Sequence, residues 1–347
     1  MLIEKVNNGT YSQCRIPGIV LTQTGTLLAY YECRKSNSDW ADIDIKVIRS
    51  TDLGDTWQTV TVIAGNGNTL NNPVMFVKGA ELHFLFLKNY KELFHCVSMD
   101  DGKTFSAPRQ ISIACDFFYN AVAVGPGHGI VHDGKMIVPV WFAQCKEYAL
   151  AHRPSIISTL YSADGETWHL GEFIGNEGLV NPSECALAVT AENKVLISIR
   201  NESDRHQRAL ALSDDGFSGW KDLRFSSQLP DPVCMGSMYH ENGRIYHINC
   251  DSDTARENLT VKISEDCFES FESIFVDTPA GYADIAVKDN TLFVFYERDC
   301  NNGGLYFKKI FMLFLGVAQT AGLLCSNSHT APQPLRTSPC EHLLFYI

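Results

Sequence analysis

A short turn sequence that recurs along the chain is the feature that most restricts its fold. The fullest copy is segment 50–57, STDLGDTW. Related segments follow at 98–105 (SMDDGKTF), 162–168 (SADGETW), 213–220 (SDDGFSGW) and 264–271 (SEDCFESF). A turn that returns about every fifty residues is typical of β-propellers and other repeat arrays.

The residue types of this turn, which we call the Asp-box, explain its role. Its Ser and Asp side chains can bond nearby backbone N–H groups, and its Gly supplies a positive φ. Its final aromatic residue can fill the space between adjacent sheets. The Asp-boxes therefore mark one hairpin per sheet, and we assign them no part in catalysis.

The segments between the Asp-boxes are short and β-rich, for example 27–32, 44–50 and 82–87, and convincing helical periodicity is absent. Residues 1–310 divide into six periods, which predicts an all-β, six-bladed β-propeller of four-stranded antiparallel blades. We expect the ring to close by combining N- and C-terminal strands in one blade. Residues 311–347 differ in composition and form a C-terminal tail of unknown role.

Charge and hydropathy limit the partners of this protein. The chain of 347 residues has a formal net charge of −12, which argues against nucleic acid and against an anionic membrane surface. A hydrophobic content of 45% indicates a soluble, globular protein, and we expect a monomer. If such an acidic protein binds an anionic ligand, it must build a local positive pocket.

The 12 cysteines and 11 histidines show no metal-binding spacing, so we expect no metal and no other cofactor. Several cysteines, such as Cys96, Cys185 and Cys250, lie in apolar strand-like runs and are interpreted as buried free thiols in a reducing compartment. The first residues do not resemble a signal peptide. The default expectation is a cytoplasmic protein, or a secreted one if a leader has been removed.

The tripeptide Arg15-Ile16-Pro17 is the first candidate binding element. An arginine on a strand next to a proline presents its guanidinium group in a fixed position, which suits it to bind both oxygens of a carboxylate. A single arginine of this kind more often forms a structural ion pair. Its interpretation therefore depends on the other motifs.

The Arg-Ile-Pro motif, the Asp-boxes and the predicted propeller together resemble the bacterial and animal exo-sialidases (neuraminidases), over about residues 10–310. The resemblance implies a retaining exo-glycoside hydrolase that releases terminal α-linked sialic acid from a sialylated glycan. It also implies three arginines that hold the substrate carboxylate: Arg15, Arg200 in VLISIRN and Arg256 in SDTARENL. Three converging guanidinium groups repel one another when no anion is bound.

The resemblance implies two further carboxylate roles. Glu297, in FVFYERD, would orient Arg15, and Asp39, in SNSDWADIDI, would be the acid/base residue. A general acid needs a raised pKa, and Trp40 is a suitable apolar neighbour. Asp42 and Asp44 are competing candidates for the acid/base role. Their alternation with isoleucines fits the polar face of a β-strand better than this role.

Glu184, in VNPSECALA, and Tyr282, in AGYADIAV, match the base and the nucleophile of the family. This pair has a physical rationale, because the anomeric carbon of a sialoside already bears a carboxylate. An anionic nucleophile would be repelled there, whereas a neutral phenol deprotonated during attack would not.

Other interpretations remain open from the sequence. The substrate could be another 2-keto-3-deoxy sugar acid (Kdn or Kdo), because arginines that bind the carboxylate do not distinguish the substituent at C5. A transglycosylase would need an aromatic platform for the aglycone, which the sequence does not reveal. A non-catalytic carbohydrate-binding propeller would be expected to lack Asp39, Glu184 or Tyr282. The segment 125–129 (GPGHG) is interpreted as a turn, and a contact between His128 and the substrate is the alternative interpretation.

Overall fold

The computed structural model of the protein describes residues 1–175, 178–299 and 303–312. In this part of the chain every regular element is a β-strand. The strands are β1 (Leu2–Lys5), β2 (Gln13–Leu21), β3 (Leu27–Arg34), β4 (Ile43–Ser50), β5 (Gln58–Ile63), β6 (Leu70–Lys78), β7 (Glu81–Lys88), β8 (Glu92–Ser98), β9 (Arg109–Ile111), β10 (Ala121–Val124), β11 (Gly127–His128), β12 (Ile130–His132), β13 (Lys135–Ala143), β14 (Ser155–Ser162), β15 (His169–Leu170), β16 (Cys185–Val189), β17 (Val195–Ile199), β18 (Gln207–Ser213), β19 (Lys221–Pro230), β20 (Ser237–Glu241), β21 (Arg244–Cys250), β22 (Leu259–Ser264), β23 (Glu272–Asp277), β24 (Ala280–Lys288), β25 (Thr291–Arg298) and β26 (Gly304–Phe311).

These strands form six small sheets, the blades of a six-bladed β-propeller, and their pairing is antiparallel except between β11 and β6. Blade 1 contains β2–β5, blade 2 β6–β9 with β11, blade 3 β10 and β12–β15, blade 4 β16–β19, blade 5 β20–β23, and blade 6 β24–β26 with β1. The fold predicted from the repeats is confirmed, and two of the blades have five strands instead of four.

The first strand of each blade lies innermost, and neighbouring inner strands contact one another around the ring. In blade 6 the N-terminal strand β1 pairs with the late strand β26, with Leu2 opposite Tyr306. This pairing closes the ring by joining the two ends of the described chain, as expected from the sequence.

The Asp-boxes join the third strand of a blade to the fourth and are held by their own side chains. In the first copy, Gly54 N–H donates to Ser50 Oγ (2.8 Å), and Thr56 Oγ1 donates to Asp52 Oδ2 (2.6 Å). Trp57 packs edge-to-face on Phe307 of blade 6, with ring centroids 5.2 Å apart. The Asp-boxes therefore stabilise the turns and the seams between blades, as their composition predicts.

A buried carboxylate at the centre of the ring connects several blades. Asp284 of blade 6 is completely buried. Its oxygens accept hydrogen bonds from Ile19 N–H of blade 1 (2.8 Å) and from Ser237 Oγ of blade 5 (2.5 Å). His128 Nδ1 lies 2.8 Å from Asp284 Oδ1. The 125–129 segment brings His128 there by leaving blade 3 and pairing in parallel with β6 of blade 2.

We expect the substitution Asp284→Ala to lower the free energy of unfolding by about 3–5 kcal/mol, because several buried donors would lose their acceptor at once. Urea denaturation followed by fluorescence measures this loss. Asp214→Ala, which removes a surface carboxylate that is 71% exposed and paired with Lys221, is the matched control and should change the stability little. Equal effects of the two substitutions would contradict a central role for Asp284.

The remaining expectations about the chain concern its tail, its cysteines and membranes. Residues 313–347 of the predicted tail lie outside the described residues. Each cysteine in the described ranges is a free thiol, and Cys96, Cys185 and Cys250 are buried as expected. None of the described segments forms a helix with the length and apolar character needed to cross a membrane.

Candidate active site

The direction of the strands brings the predicted site residues to one end of the propeller. In an antiparallel blade, the start of the inner strand and the loop between the second and third strands lie at the same end. The Asp-boxes lie at the opposite end. At the first end are Arg15 in β2, Asp39 between β3 and β4, Glu184 before β16, Arg200 after β17, Arg256 between β21 and β22, and Tyr282 in β24.

These six side chains line a single pocket of about 220 Å³. Arg34 and Arg153 also line it, so that five arginines face three carboxylates, those of Asp39, Glu184 and Glu202. An excess of positive charge inside a protein of net charge −12 favours an anionic ligand at this place. His128 and the competing candidates Asp42 and Asp44 are not among the lining residues.

Tyr282, Glu184 and Arg200 form a hydrogen-bonded cluster in the lining of the pocket. Tyr282 Oη lies 2.7 Å from Glu184 Oε2, and Arg200 Nη1 donates to Tyr282 Oη (2.8 Å) and to Glu184 Oε2. Burial raises the pKa of Tyr282 well above its ordinary value, against the opposing effect of Arg200. The phenol is therefore neutral, and its proton points to a carboxylate.

The two other predicted arginines flank the ring of Tyr282. The guanidinium carbon of Arg15 lies 5.0 Å from the ring centroid, and that of Arg256 lies 5.1 Å from it. Three arginines thus surround one phenol, and their mutual repulsion has to be offset. Arg15 and Arg200 each have a carboxylate partner, whereas no described carboxylate forms an ion pair with Arg256.

Glu297 of β25 forms an ion pair with Arg15. Its two carboxylate oxygens accept hydrogen bonds from Arg15 Nε and Nη2, each at 3.1 Å, and the side chain is 1% exposed. Glu297 also accepts a bond from Ile16 N–H (3.0 Å). Ile16 has a φ of 59°, an unusual conformation for a β-branched residue. Glu297 therefore stabilises both the side chain of Arg15 and the strained backbone beside it.

The structure corrects our expectation about the environment of Asp39. The carboxylate of Asp39 accepts a short hydrogen bond from Arg34 Nη1 (2.6 Å). The ring of Trp40, the next residue, packs on Tyr90 (4.4 Å between centroids) and on His152 (5.4 Å). Burial pushes the pKa of Asp39 upward, but the positive charges of Arg34 and Arg15 outweigh it and hold this pKa below its ordinary value.

Arg34 is a site residue that the sequence reasoning missed. Its guanidinium group is almost completely buried, and it bonds Glu32 Oε2 through Nε (2.9 Å) and Nη2 (2.7 Å). Glu32 in turn accepts a bond from Asn72 N–H (2.9 Å). The alternation of Glu32 and Arg34 on one strand face, two residues apart, was the available signal.

The described residues contain no group of three or more His, Cys, Asp or Glu side chains placed to hold a metal ion. The chemical groups of the pocket are a carboxylate-bonded phenol, a carboxylate on a loop at the rim, and a cluster of arginines. This set can bind an anion next to a nucleophile and an acid/base pair.

The chain matches a known family over most of its length. Residues 58–294 match the model of the BNR repeat-like domain. A sialidase of Bacteroides fragilis is 27% identical over 297 residues, which cover 73% of this chain and 53% of the relative. The chain thus spans about half the length of this curated relative.

Solved structures share the fold. The Hadza microbial sialidase Hz136 superposes with a TM-score of 0.74 at 22% identity, over 88% of this chain and 66% of that one. A sialidase of Trypanosoma rangeli, solved with 2,3-difluorosialic acid as a covalent intermediate, gives a TM-score of 0.66 at 20% identity, over 88% and 56% of the two chains. With its Asp-boxes, its six blades and its match to the BNR repeat-like model, the chain belongs to the sialidase family of six-bladed β-propellers.

Proposed function

We propose that this protein is a retaining exo-glycoside hydrolase that releases terminal α-linked sialic acid from glycoconjugates. One observation carries the proposal. Three arginines surround a tyrosine that is hydrogen-bonded to a glutamate, and one of them, Arg256, has no carboxylate partner among the described residues. An anionic sugar in this pocket would supply that partner.

In this proposal Arg15, Arg200 and Arg256 bind the carboxylate of the substrate. Planar guanidinium groups match a carboxylate in two-point geometry, and a bound anion removes their mutual repulsion. Glu297 keeps Arg15 in position before the substrate arrives. The binding of the carboxylate places the adjacent anomeric carbon above Tyr282.

Tyr282 acts as the nucleophile and Glu184 as its base. As Tyr282 Oη bonds to the anomeric carbon, its proton moves to Glu184, and the bond to the glycosidic oxygen breaks. Arg200 contacts both Tyr282 and Glu184 and so stabilises the negative charge that develops on them. The product of this step is a glycosyl-tyrosine, in which the anomeric configuration is inverted once.

Asp39 donates a proton to the departing glycosidic oxygen. It then accepts a proton from the water that attacks the glycosyl-tyrosine, which restores the configuration. Tyr282 leaves and takes back its proton from Glu184. Arg34 and Arg15 keep Asp39 ionised before substrate binds. The substrate carboxylate neutralises part of this positive field, so binding itself raises the pKa of Asp39.

The depressed pKa of Asp39 predicts a dependence on the leaving group. Above this pKa the protonated fraction of Asp39 in the free protein falls by up to about tenfold per pH unit. We expect kcat/KM for sialyllactose, whose leaving group needs a proton, to fall steeply from pH 5 to pH 8. The leaving group of a nitrophenyl sialoside needs no proton, so kcat/KM for this substrate should change much less with pH. The substitution Asp39→Asn should lower kcat/KM mainly for sialyllactose. Parallel profiles for the two substrates would exclude Asp39 as the acid.

The proposed activity is tested by the release of a fluorogenic aglycone from an α-linked N-acetylneuraminic acid conjugate, beside its Kdn and Kdo analogues. Turnover of the first conjugate with the highest kcat/KM supports the proposal. A preference for Kdn or Kdo would assign the same chemistry to another sugar acid. No turnover of any conjugate would indicate a non-catalytic carbohydrate-binding propeller.

A further inference from the structure

Arg208 of β18 is completely buried and does not line the pocket, yet it is bonded to the backbone of the pocket residue Glu184. Its Nη2 donates to Glu184 O (3.4 Å) and to Ser198 O (3.0 Å), and its Nε donates to Ser198 Oγ (3.0 Å). Ser198 lies in β17, two residues before Arg200, whose own N–H donates to Glu184 O (3.2 Å). Arg208 therefore holds the part of blade 4 that carries the proposed base and one of the three carboxylate-binding arginines.

The remaining nitrogen of Arg208 binds the segment that leads into blade 5. Arg208 Nη1 donates to Asp231 Oδ2 (3.0 Å) and to Cys234 O (2.9 Å). Asp231 is buried, and its Oδ1 accepts a bond from Cys234 N–H (2.7 Å). Arg208 thus makes five hydrogen bonds, as many as it has N–H groups, and a buried carboxylate neutralises its charge. We call residues 231–235 the blade 5 spacer.

The blade 5 spacer lies between the proposed base and the proposed nucleophile. It precedes β20, and this inner strand contacts β16 of blade 4 on one side and β24 of blade 6 on the other. Glu184 directly precedes β16, and Tyr282 belongs to β24. Cys234 and Met235 of the spacer pack with Tyr282 in one buried apolar cluster. The spacer is therefore bonded to Arg208 on its blade 4 side and packs against Tyr282 on its blade 6 side.

We propose that Arg208 is a positioning residue, which sets the distance between Glu184 and Tyr282 by fixing the blade 5 spacer to the backbone of blade 4. This inference rests on the proposed function, in which a proton passes from Tyr282 Oη to Glu184. The two groups belong to different blades and lie 2.7 Å apart. A displacement of about 1 Å between reacting groups can lower a rate by about 100-fold, so this distance has to be held by the surrounding structure.

The inference is tested with Arg208→Lys, which keeps a positive charge beside Asp231 but cannot form all five bonds. We expect kcat to fall by about 10- to 100-fold, while the affinity for an unsaturated sialic acid analogue changes by less than about threefold. The loss should be the same for sialyllactose and for a nitrophenyl sialoside, because both require the attack by Tyr282. A loss confined to sialyllactose would place the defect at Asp39 and overturn the inference.

The kinetics of covalent trapping by 2,3-difluorosialic acid separate positioning from folding. A residue needed only for folding changes the fraction of chains that react, whereas a positioning residue changes the rate at which folded chains react. We expect Arg208→Lys to react to the same final extent as wild type, but about 10- to 100-fold more slowly.

Lys262→Met is the matched control. Lys262 of blade 5 is also a buried cation that binds a carboxylate and a backbone carbonyl, because its Nζ donates to Asp251 Oδ1 (2.6 Å) and to Gln228 O (2.7 Å). None of these three residues lines the pocket. The control should lose stability and keep the wild-type rate of trapping. If it slowed trapping as much as Arg208→Lys, any buried ion pair would have this effect, and the positioning role would be overturned.

The other outcomes separate the two proposals. If wild type neither cleaves sialosides nor reacts with 2,3-difluorosialic acid, the proposed function fails, and the inference fails with it. If wild type reacts and folded Arg208→Lys reacts at the same rate, the positioning role alone is overturned. If Arg208→Lys does not fold, Ser198→Ala decides, because it removes only the acceptor of Arg208 Nε and should slow trapping by about 2- to 5-fold. A wild-type rate in Ser198→Ala would then overturn the positioning role.

Discussion

Replacing Tyr282 with phenylalanine is expected to lower kcat for a sialoside by about 1,000-fold or more, because the nucleophile and its transferable proton are both removed. The substitution deletes one buried oxygen, and Glu184 keeps its bond to Arg200. The pocket should therefore remain folded. Steady-state kinetics, together with the affinity for an unsaturated sialic acid analogue measured by calorimetry, separates lost chemistry from lost binding.

Tyr296→Phe is the matched control for this substitution. Tyr296 is also a buried tyrosine of blade 6, but its hydroxyl donates to Asp277 Oδ2 (2.8 Å) and it does not line the pocket. This control should retain activity. A loss of less than about tenfold for Tyr282→Phe would be too small for the removal of a nucleophile and would exclude that role.

The second large effect is expected for Arg200→Ala, with a decrease of kcat/KM by about 100- to 1,000-fold. Arg200 is the arginine that contacts both Glu184 and Tyr282, so its removal affects binding of the substrate carboxylate and the charge that develops during attack. Affinity for the unsaturated analogue should fall as well, which distinguishes this variant from Tyr282→Phe.

Arg205→Ala provides the comparison for Arg200→Ala. Arg205 lies five residues further along the chain, is exposed, and packs on Phe225 outside the pocket. This variant should keep the wild-type kcat/KM. If Arg200→Ala altered kcat without weakening the binding of the analogue, Arg200 would not belong to a carboxylate clamp.

The propeller was predictable from the sequence because its signal is local and repeated. Each Asp-box forms its turn from side chains within eight residues, as the bonds of Ser50 and Asp52 show, so the pattern survives in the linear sequence. The closing pair of β1 and β26 joins residues about 300 positions apart. This pairing was predicted from the expected number of blades and not from a local sequence pattern.

The predicted site residues could be named from short motifs, but their surroundings could not. The pKa of Asp39 depends on Arg34, which reaches it from the end of β3 and is itself held by Glu32. Trp40 is adjacent to Asp39 in sequence, and its ring packs on Tyr90 of blade 2 and on His152 of blade 3. These contacts of Trp40 join loops of different blades and are set by tertiary packing, for which adjacency in sequence is a poor guide.

Covalent trapping tests the central claim most directly. The protein is incubated with 2,3-difluorosialic acid, and the mass of the intact chain and of its peptides is measured. The account predicts the addition of one fluorosialyl group, located on Tyr282 and absent in Tyr282→Phe. A fluorosialyl group on Glu184 or Asp39, or no adduct on a protein that cleaves sialosides, would contradict it.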